Sequence, residues 1–241
     1  MEPKKPQLPQ AGAATPTPSA QIEQSQTRAS LVKEATRILE AEGYQALSLR
    51  SAAKAAGLSP AAPYRHFEHG APELLAVVAE SGFREMIAEL ERAGREESSG
   101  PRGRVVEVGL AYVRFGVERP DLYRALFSSQ LAGPLEFRDK LWEAGEISYS
   151  SRKAYESLAA VKQVAFEALV APLRDAQEKG ALKKGDVSEF GLALAALLHG
   201  LVGEFIDEGL GGRQSQKQPW SKARRQMAAR MIELLLTGLE K

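Results

Sequence analysis

Arg50, Lys54 and Arg65 stand in a stretch from Gly43 to Phe67, GYQALSLRSAAKAAGLSPAAPYRHF, that contains neither Asp nor Glu. Tyr64 and His66 flank Arg65, so the stretch ends on three side chains able to donate hydrogen bonds to phosphate oxygens. Cations without neighbouring acids suit a polyanion, because no carboxylate repels the phosphates or neutralises the cations. The formal net charge of the whole chain is only +1, so this basic character is local. Small residues complete the pattern: Ser59, Pro60, Ala61 and Ala62 leave room for close approach to base edges or thymine methyls.

Presenting these groups requires two short helices joined by a tight turn. Ser48 reads as the N-cap of the first, with Leu49, Ala52, Ala53 and Ala56 on its inner side. Gly57 supplies the left-handed residue that ends a helix, and Leu58 folds back towards the core. Ser59 reads as the cap of the second helix, with Pro60 at its first position, where a missing N–H costs nothing. Tyr64, Arg65 and His66 close that helix, and Phe67 returns to the core. An αα-hairpin of purely structural purpose can also carry Ser caps and a Gly turn. Here the exclusion of acids and the Tyr-Arg-His-Phe ending favour DNA. The expected DNA-binding set is Ser48, Leu49, Arg50, Ser59, Pro60, Ala61, Ala62, Tyr64, Arg65 and His66.

The rest of the chain narrows the alternatives. Without Cys, neither a disulfide framework nor a thiolate metal site can form, and the three His are too scattered for a metal-ligand motif. There is no Ser-His-Asp signature, Walker loop or GxGxxG fingerprint, so neither an enzyme activity nor a cofactor is expected. Residues 1–26 are rich in Pro, Gln, Ala and Thr and lack the apolar stretch of a signal peptide. They read as the disordered tail of a soluble, cytoplasmic protein. From Thr27 onward the apolar pattern has a helical period nearly throughout, which makes the expected fold all-α.

A second informative segment is Phe190 to Gly203, FGLALAALLHGLVG, which carries no formal charge when His199 is neutral. It reads as too short and too Gly-punctuated for a membrane span, and so as a helix buried on more than one side. Gly191, Ala195, Ala196, Gly200 and Gly203 would let another helix approach closely. The last helical segment adds an apolar stripe of Trp220, Met227, Met231, Leu234 and Leu235. On pattern alone, a two-fold, four-helix dimer interface and an intramolecular core both remain open.

Residues from about Thr27 to Phe83 resemble the N-terminal DNA-binding domain of the TetR (TetR/AcrR) family of bacterial transcription regulators. The resemblance rests on RASLVKEATRILEAEGY, then LSLRSAAKAAGLSPAAPYRHF, then ELLAVVAESGF, about a quarter of the chain. One departure stands out. The family usually follows the Phe with an Asp-Lys-type turn whose Lys meets a phosphate, whereas this chain reads EHGAPELL. His69 or the N–H groups near Pro72 are then left to replace that contact. The C-terminal half resembles, more weakly, a subgroup named for a Trp-His-Gly motif, which here reads Leu198-His199-Gly200.

The resemblance implies a three-helix helix-turn-helix domain over residues 27–86 and a helical bundle over 87–241 that binds an effector and dimerises through its last two helices. It implies a homodimeric repressor on a palindromic operator, with an apolar pocket for a small molecule. Tyr112, Phe115, Phe127, Trp142, Phe166 and His199 are the expected effector-binding residues, although aromatics at helical spacing are usually core and a lone His is usually satisfied there. No membrane partner is expected. The competing function is a helical ligand- or partner-binding protein that has lost sequence-specific DNA binding.

Overall fold

The computed structural model describes residues 18–68, 70–95, 100–128, 149–207 and 220–239. Two residues considered above, His69 and Trp142, lie outside the described residues. Among the described residues there are eight α-helices, two short 3₁₀ helices and no strand. In chain order the α-helices are α1 (Pro18–Glu42), α2 (Leu49–Ala55), α3 (Ala71–Gly94), α4 (Gly100–Glu118), α5 (Pro120–Leu126), α6 (Tyr149–Glu178), α7 (Val187–Asp207) and α8 (Lys222–Thr237). The 3₁₀ helices are Tyr44–Ala46 and Ala62–Arg65. The chain divides into two compact units, one of Met1–Val78 with Ser128–Glu156, the other of Ala79–Phe127 with Ser157–Lys241.

The first helix corrects one expectation. It starts at Pro18, inside the segment read as a disordered tail. Pro fits the first helical position, and neither Gly nor Pro interrupts the chain again before Gly43. Only the later turns find a core: Ile22 is 59% exposed, whereas Leu31, Ala35, Ile38 and Leu39 are buried. They pack against α2, whose Leu49, Ala52 and Ala53 are buried, and Phe67 is buried as well.

In the second unit α4 is the central helix. Val105, Val106, Val108, Leu110, Ala111, Tyr112, Val113, Phe115 and Val117 are buried around its whole circumference. A helix apolar on all sides must be packed on all sides, and α4 lies against both α7 and α8. Glycine permits the close approach. A Cβ on Gly109 would stand 2.8 Å from Ile232 Cδ1, and one on Gly116 would stand 2.5 Å from Val202 Cγ1. The α6 helix runs through Pro172 without ending.

The apolar segment around Phe190 to Gly203 extends further than expected. As α7 it spans 21 residues, long and apolar enough to cross a membrane by length and composition. The expectation that it is too short for a span is therefore overturned, because Val187–Glu189 and Glu204–Asp207 continue the same helix. Packing nevertheless marks it as a core helix. Gly191, Leu194, Leu198, Leu201 and Val202 are buried within the unit, and α4 covers that side.

Candidate nucleic-acid interface

The reading head is built by two local devices. Ser48 and Ser51 form a reciprocal cap: the Ser51 N–H donates to Ser48 Oγ at 3.0 Å, and the Ser48 N–H donates to Ser51 Oγ at 2.9 Å. Ser51 Oγ also donates to the Ala46 carbonyl at 2.8 Å, which ties the cap to the preceding 3₁₀ turn. At the other end, Gly57 takes φ 68. The Leu58 N–H reaches the Ala53 carbonyl at 2.9 Å and the Gly57 N–H the Lys54 carbonyl at 3.2 Å. This is the paired closure that a left-handed Gly allows.

The second helix differs from expectation. It is a 3₁₀ helix over Ala62–Arg65, without a side-chain cap from Ser59. Pro63 explains the change. Pro63 has no N–H to bond the Ser59 carbonyl, so the α-helical ring cannot close there. The Ser59 carbonyl instead accepts from the Ala62 N–H at 3.1 Å, and the Pro63 carbonyl accepts from both His66 and Phe67 N–H at 2.9 Å. Pro63 and Phe67 are buried and anchor the turn, while Ser59, Pro60, Ala61, Tyr64 and Arg65 are exposed. Ala62 is half-buried.

On α2, Arg50 and Lys54 are exposed one turn apart. Leu49 corrects the expected DNA-binding set: it is 4% exposed, because the first α2 position faces the α1 core, and its side chain cannot reach a groove. The Ser48 hydroxyl is already engaged in the cap.

Ion pairing differs between this surface and much of the second unit. In the second unit, Arg84, Arg102, Arg104, Arg114, Arg119, Arg124, Arg174 and Arg225 each hold a carboxylate. In the reading head, Arg50, Lys54 and Arg65 pair with no carboxylate among the described residues. His66 is held below its ordinary range by burial first, then by the positive charges of Arg28 and Arg65. Arg28, on α1, was missed by sequence reasoning. Its guanidinium lies 5.3 Å from the centre of the Phe67 ring. Its place three residues before buried Leu31 was the one available signal, since positions i and i+3 share a helix face.

The residues expected to meet an effector fall into separate places. Tyr112, Phe127 and His199 come together, joined by Tyr123, which is not in the expected effector-binding set. The Tyr112 and Tyr123 hydroxyls are 3.0 Å apart, Tyr123 Oη is 2.6 Å from His199 Nδ1, and the Phe127 and His199 rings are 4.9 Å apart. Phe115 is buried, with the Arg119 guanidinium 5.3 Å from its ring centre. Phe166 is 38% exposed on α6, beside Gly191. Two grooves, of about 390 Å³ and about 480 Å³, lie between α3 and α6, the second also reaching Arg104 of α4. None of the expected aromatics among the described residues lines either groove. Among the described residues, no group of three His, Asp or Glu is placed to hold a metal ion.

Comparison with known proteins bears on the family and the fold. Residues 105–235 match the tetracyclin repressor-like C-terminal domain, and residues 31–69 match the bacterial regulatory proteins of the tetR family. A solved Rhodococcus protein of unknown function is 26% identical over 89% of this chain and 96% of its own, with a TM-score of 0.67. The TetR family transcriptional regulator PfmR from Thermus thermophilus is 24% identical over 88% of this chain and 99% of its own, with a TM-score of 0.57. The fatty acid degradation regulator FadR from Bacillus halodurans is 12% identical over 87% of this chain and 94% of its own, with a TM-score of 0.60. At the identities of the last two, the similarity is one of fold.

Proposed function

We propose that this chain, which belongs to the TetR family of bacterial regulatory proteins, works as a homodimeric, ligand-responsive repressor on a palindromic operator. It is a DNA-binding transcriptional regulator and not an enzyme. The observation that carries the DNA reading is the contrast in ion pairing. Eight arginines of the second unit hold a carboxylate, whereas Arg50, Lys54 and Arg65 are left without one on an exposed helix-turn-helix. Phosphates satisfy such cations and release counterions from the duplex. In this reading Tyr64, Arg65 and His66 hold the backbone, and Ser59, Ala61 and Ala62 lie nearer the bases. The DNA-reading domain is taken as residues 27–86 and the effector and dimer domain as 87–241, acting in the cytoplasm.

Support for the homodimer comes from the outer side of α7 and α8. Leu192 is 66% exposed, and Ala196, His199 and Gly200 continue that face at helical spacing. On α8, Met227, Met231 and Leu234 are 57%, 39% and 60% exposed. A Cβ on Gly200 or Gly203 would meet nothing within 4 Å, so neither glycine is needed for packing inside this chain. Small residues beside exposed apolar ones fit a self-complementary contact between two-fold-related copies. Each head reads one half-site, so dimerisation sets operator affinity.

The effector is a largely apolar, neutral or cationic small molecule. It represses or releases only by preferring one conformation of the regulator over the other. Selection of bound sequences from a random DNA pool tests the central reading. Enrichment of a palindromic motif is the expected result, and an unenriched pool would remove its basis.

A further inference from the structure

We propose that the trench between α3 and α6 binds an elongated, neutral, largely apolar molecule that carries a hydrogen-bond donor, and that the Ala168 carbonyl receives this donor. This rests on the reading of a small-molecule effector above and narrows its chemistry. The grooves of about 390 Å³ and about 480 Å³ adjoin at Glu91 and Val164, which line both. Each has the size of a small-molecule site. Their α6 wall follows one stripe, Ser157, Val161, Val164, Ala168 and Pro172, at spacings of three and four residues. Small side chains shape the trench: Ala88 on α3 and Ala160 and Ala171 on α6 are exposed along it, and Val164 is 52% exposed.

The charges along the trench are already matched. Arg84 holds Glu80 at 2.7 Å and Arg95 holds Glu91 at 3.8 Å. Lys179 holds Asp175 at 2.7 Å, with Arg104 on the same carboxylate, and Glu167 holds Arg174. A ligand carboxylate or ammonium would have to displace one of these partners while losing its own water. A neutral ligand meets no such cost.

Two uncharged polar groups remain. Pro172 has no N–H, so the Ala168 carbonyl loses the donor that an α-helix supplies four residues on. Ala168 and Pro172 both line the second groove and are half-buried, which places this acceptor on its wall. In the first groove, the half-buried Ser157 hydroxyl makes no hydrogen bond among the described residues. At 1.5 Å per residue the two groups stand about 16 Å apart along the helix, with Val161 and Val164 between them. An apolar body of that length, donating at its Ala168 end, matches the wall. A carbonyl in apolar surroundings also holds a donor more strongly than one in water.

The test uses probes with one decyl chain on the full-length protein: decan-1-ol, its methyl ether, decanoate and decylammonium, with binding followed by calorimetry. Decan-1-ol is expected to bind best, about threefold to tenfold tighter than the ether, which keeps the chain and loses the donor. Pro172→Ala restores the N–H that closes the helix onto Ala168 and is expected to erase that preference. Ala160→Phe, at an exposed position, is expected to fill the trench and abolish binding of both. Equal binding of alcohol and ether by the wild type overturns the proposal. So does a preference that survives in Pro172→Ala, binding that survives in Ala160→Phe, or tighter binding of either ion. Circular dichroism confirms that each variant is folded; should Pro172→Ala not fold, the alcohol-to-ether ratio and Ala160→Phe decide. A wild-type protein that does not bind decan-1-ol also overturns the proposal, and leaves the effector reading standing. Decan-1-ol bound in the trench without any change in affinity for the selected duplex upholds the site and overturns the effector reading instead.

Discussion

The Tyr123 hydroxyl lies 2.6 Å from Nδ1 of His199, and its other neighbour is the buried Tyr112 hydroxyl at 3.0 Å. The direction of this chain follows from bookkeeping of protons. Tyr112 has no second partner among the described residues, so its proton is satisfied only by donation to Tyr123. Tyr123 must then donate to Nδ1, which leaves the His199 Nε2–H as the outward donor. The reverse order would orphan a buried hydroxyl proton, at about 1–3 kcal/mol. A polar chain thus links α4 and α5 to the outer side of α7.

Removing the middle of this chain is expected to cost more than removing its end. Tyr112→Phe deletes a terminal donor and should destabilise by about 1 kcal/mol. Tyr123→Phe strands both neighbours and should destabilise by about 1–3 kcal/mol. Denaturant midpoints measure the difference, and equal effects would contradict the inferred donation order.

High pH should expose the same cluster. Burial pushes the Tyr112 hydroxyl up to about 12, with the Tyr123 hydrogen bond pulling partly back, and burial also raises Tyr123. A raised folded-state value means the folded protein keeps protons that the unfolded chain releases. The stability involved is therefore complete below pH about 10 and is lost as pH rises towards about 12. An ultraviolet titration of the folded protein should show these tyrosines ionising late, and Tyr112→Phe should flatten the loss of stability.

At the reading head, Tyr64→Ala should weaken binding about tenfold on every duplex, because a phosphate contact carries no sequence information. Ala61→Gln should instead change the preferred bases, since Ala61 is exposed where Ala62 is half-buried. Repeating the pool selection with both variants separates the outcomes. An unaltered motif and affinity in both would move the DNA surface elsewhere.

The dimer reading separates two leucines of the last helices. Leu234→Glu places a charge on an exposed position of α8 and should give a folded monomer with weakened operator binding, whereas Leu194→Glu, at a fully buried position, should unfold the chain. Gly203→Leu has open space in the single chain and should likewise yield monomers. Sedimentation with circular dichroism checks all three. A stable wild-type monomer at micromolar concentration would remove the premise.

Much of the reading head was legible because its determinants are local. The Ser48 cap, the left-handed Gly57 and the return of Phe67 to the core each depend on residues a few positions apart, so residue type and spacing suffice. The 3₁₀ form of Ala62–Arg65 was also in view, since Pro63 cannot donate to Ser59; the Ser59-Pro60 pair, which resembles a helix start, masked it. The unbroken helical period likewise identified an all-α chain, and the lack of acids between Gly43 and Phe67 pointed to DNA.

Other features depended on packing between distant segments. The sequence put Leu49 both on the inner side of its helix and in the DNA-binding set, and only its burial in the fold decided between the two. Periodicity could not join Tyr112, Tyr123 and His199, which come from three helices, or bring Arg28 onto Phe67. The apolar surplus on the last two helices was visible in the sequence. Which part is buried in the chain and which faces outward was decided only by the tertiary fold, since α4 can cover just one side of α7.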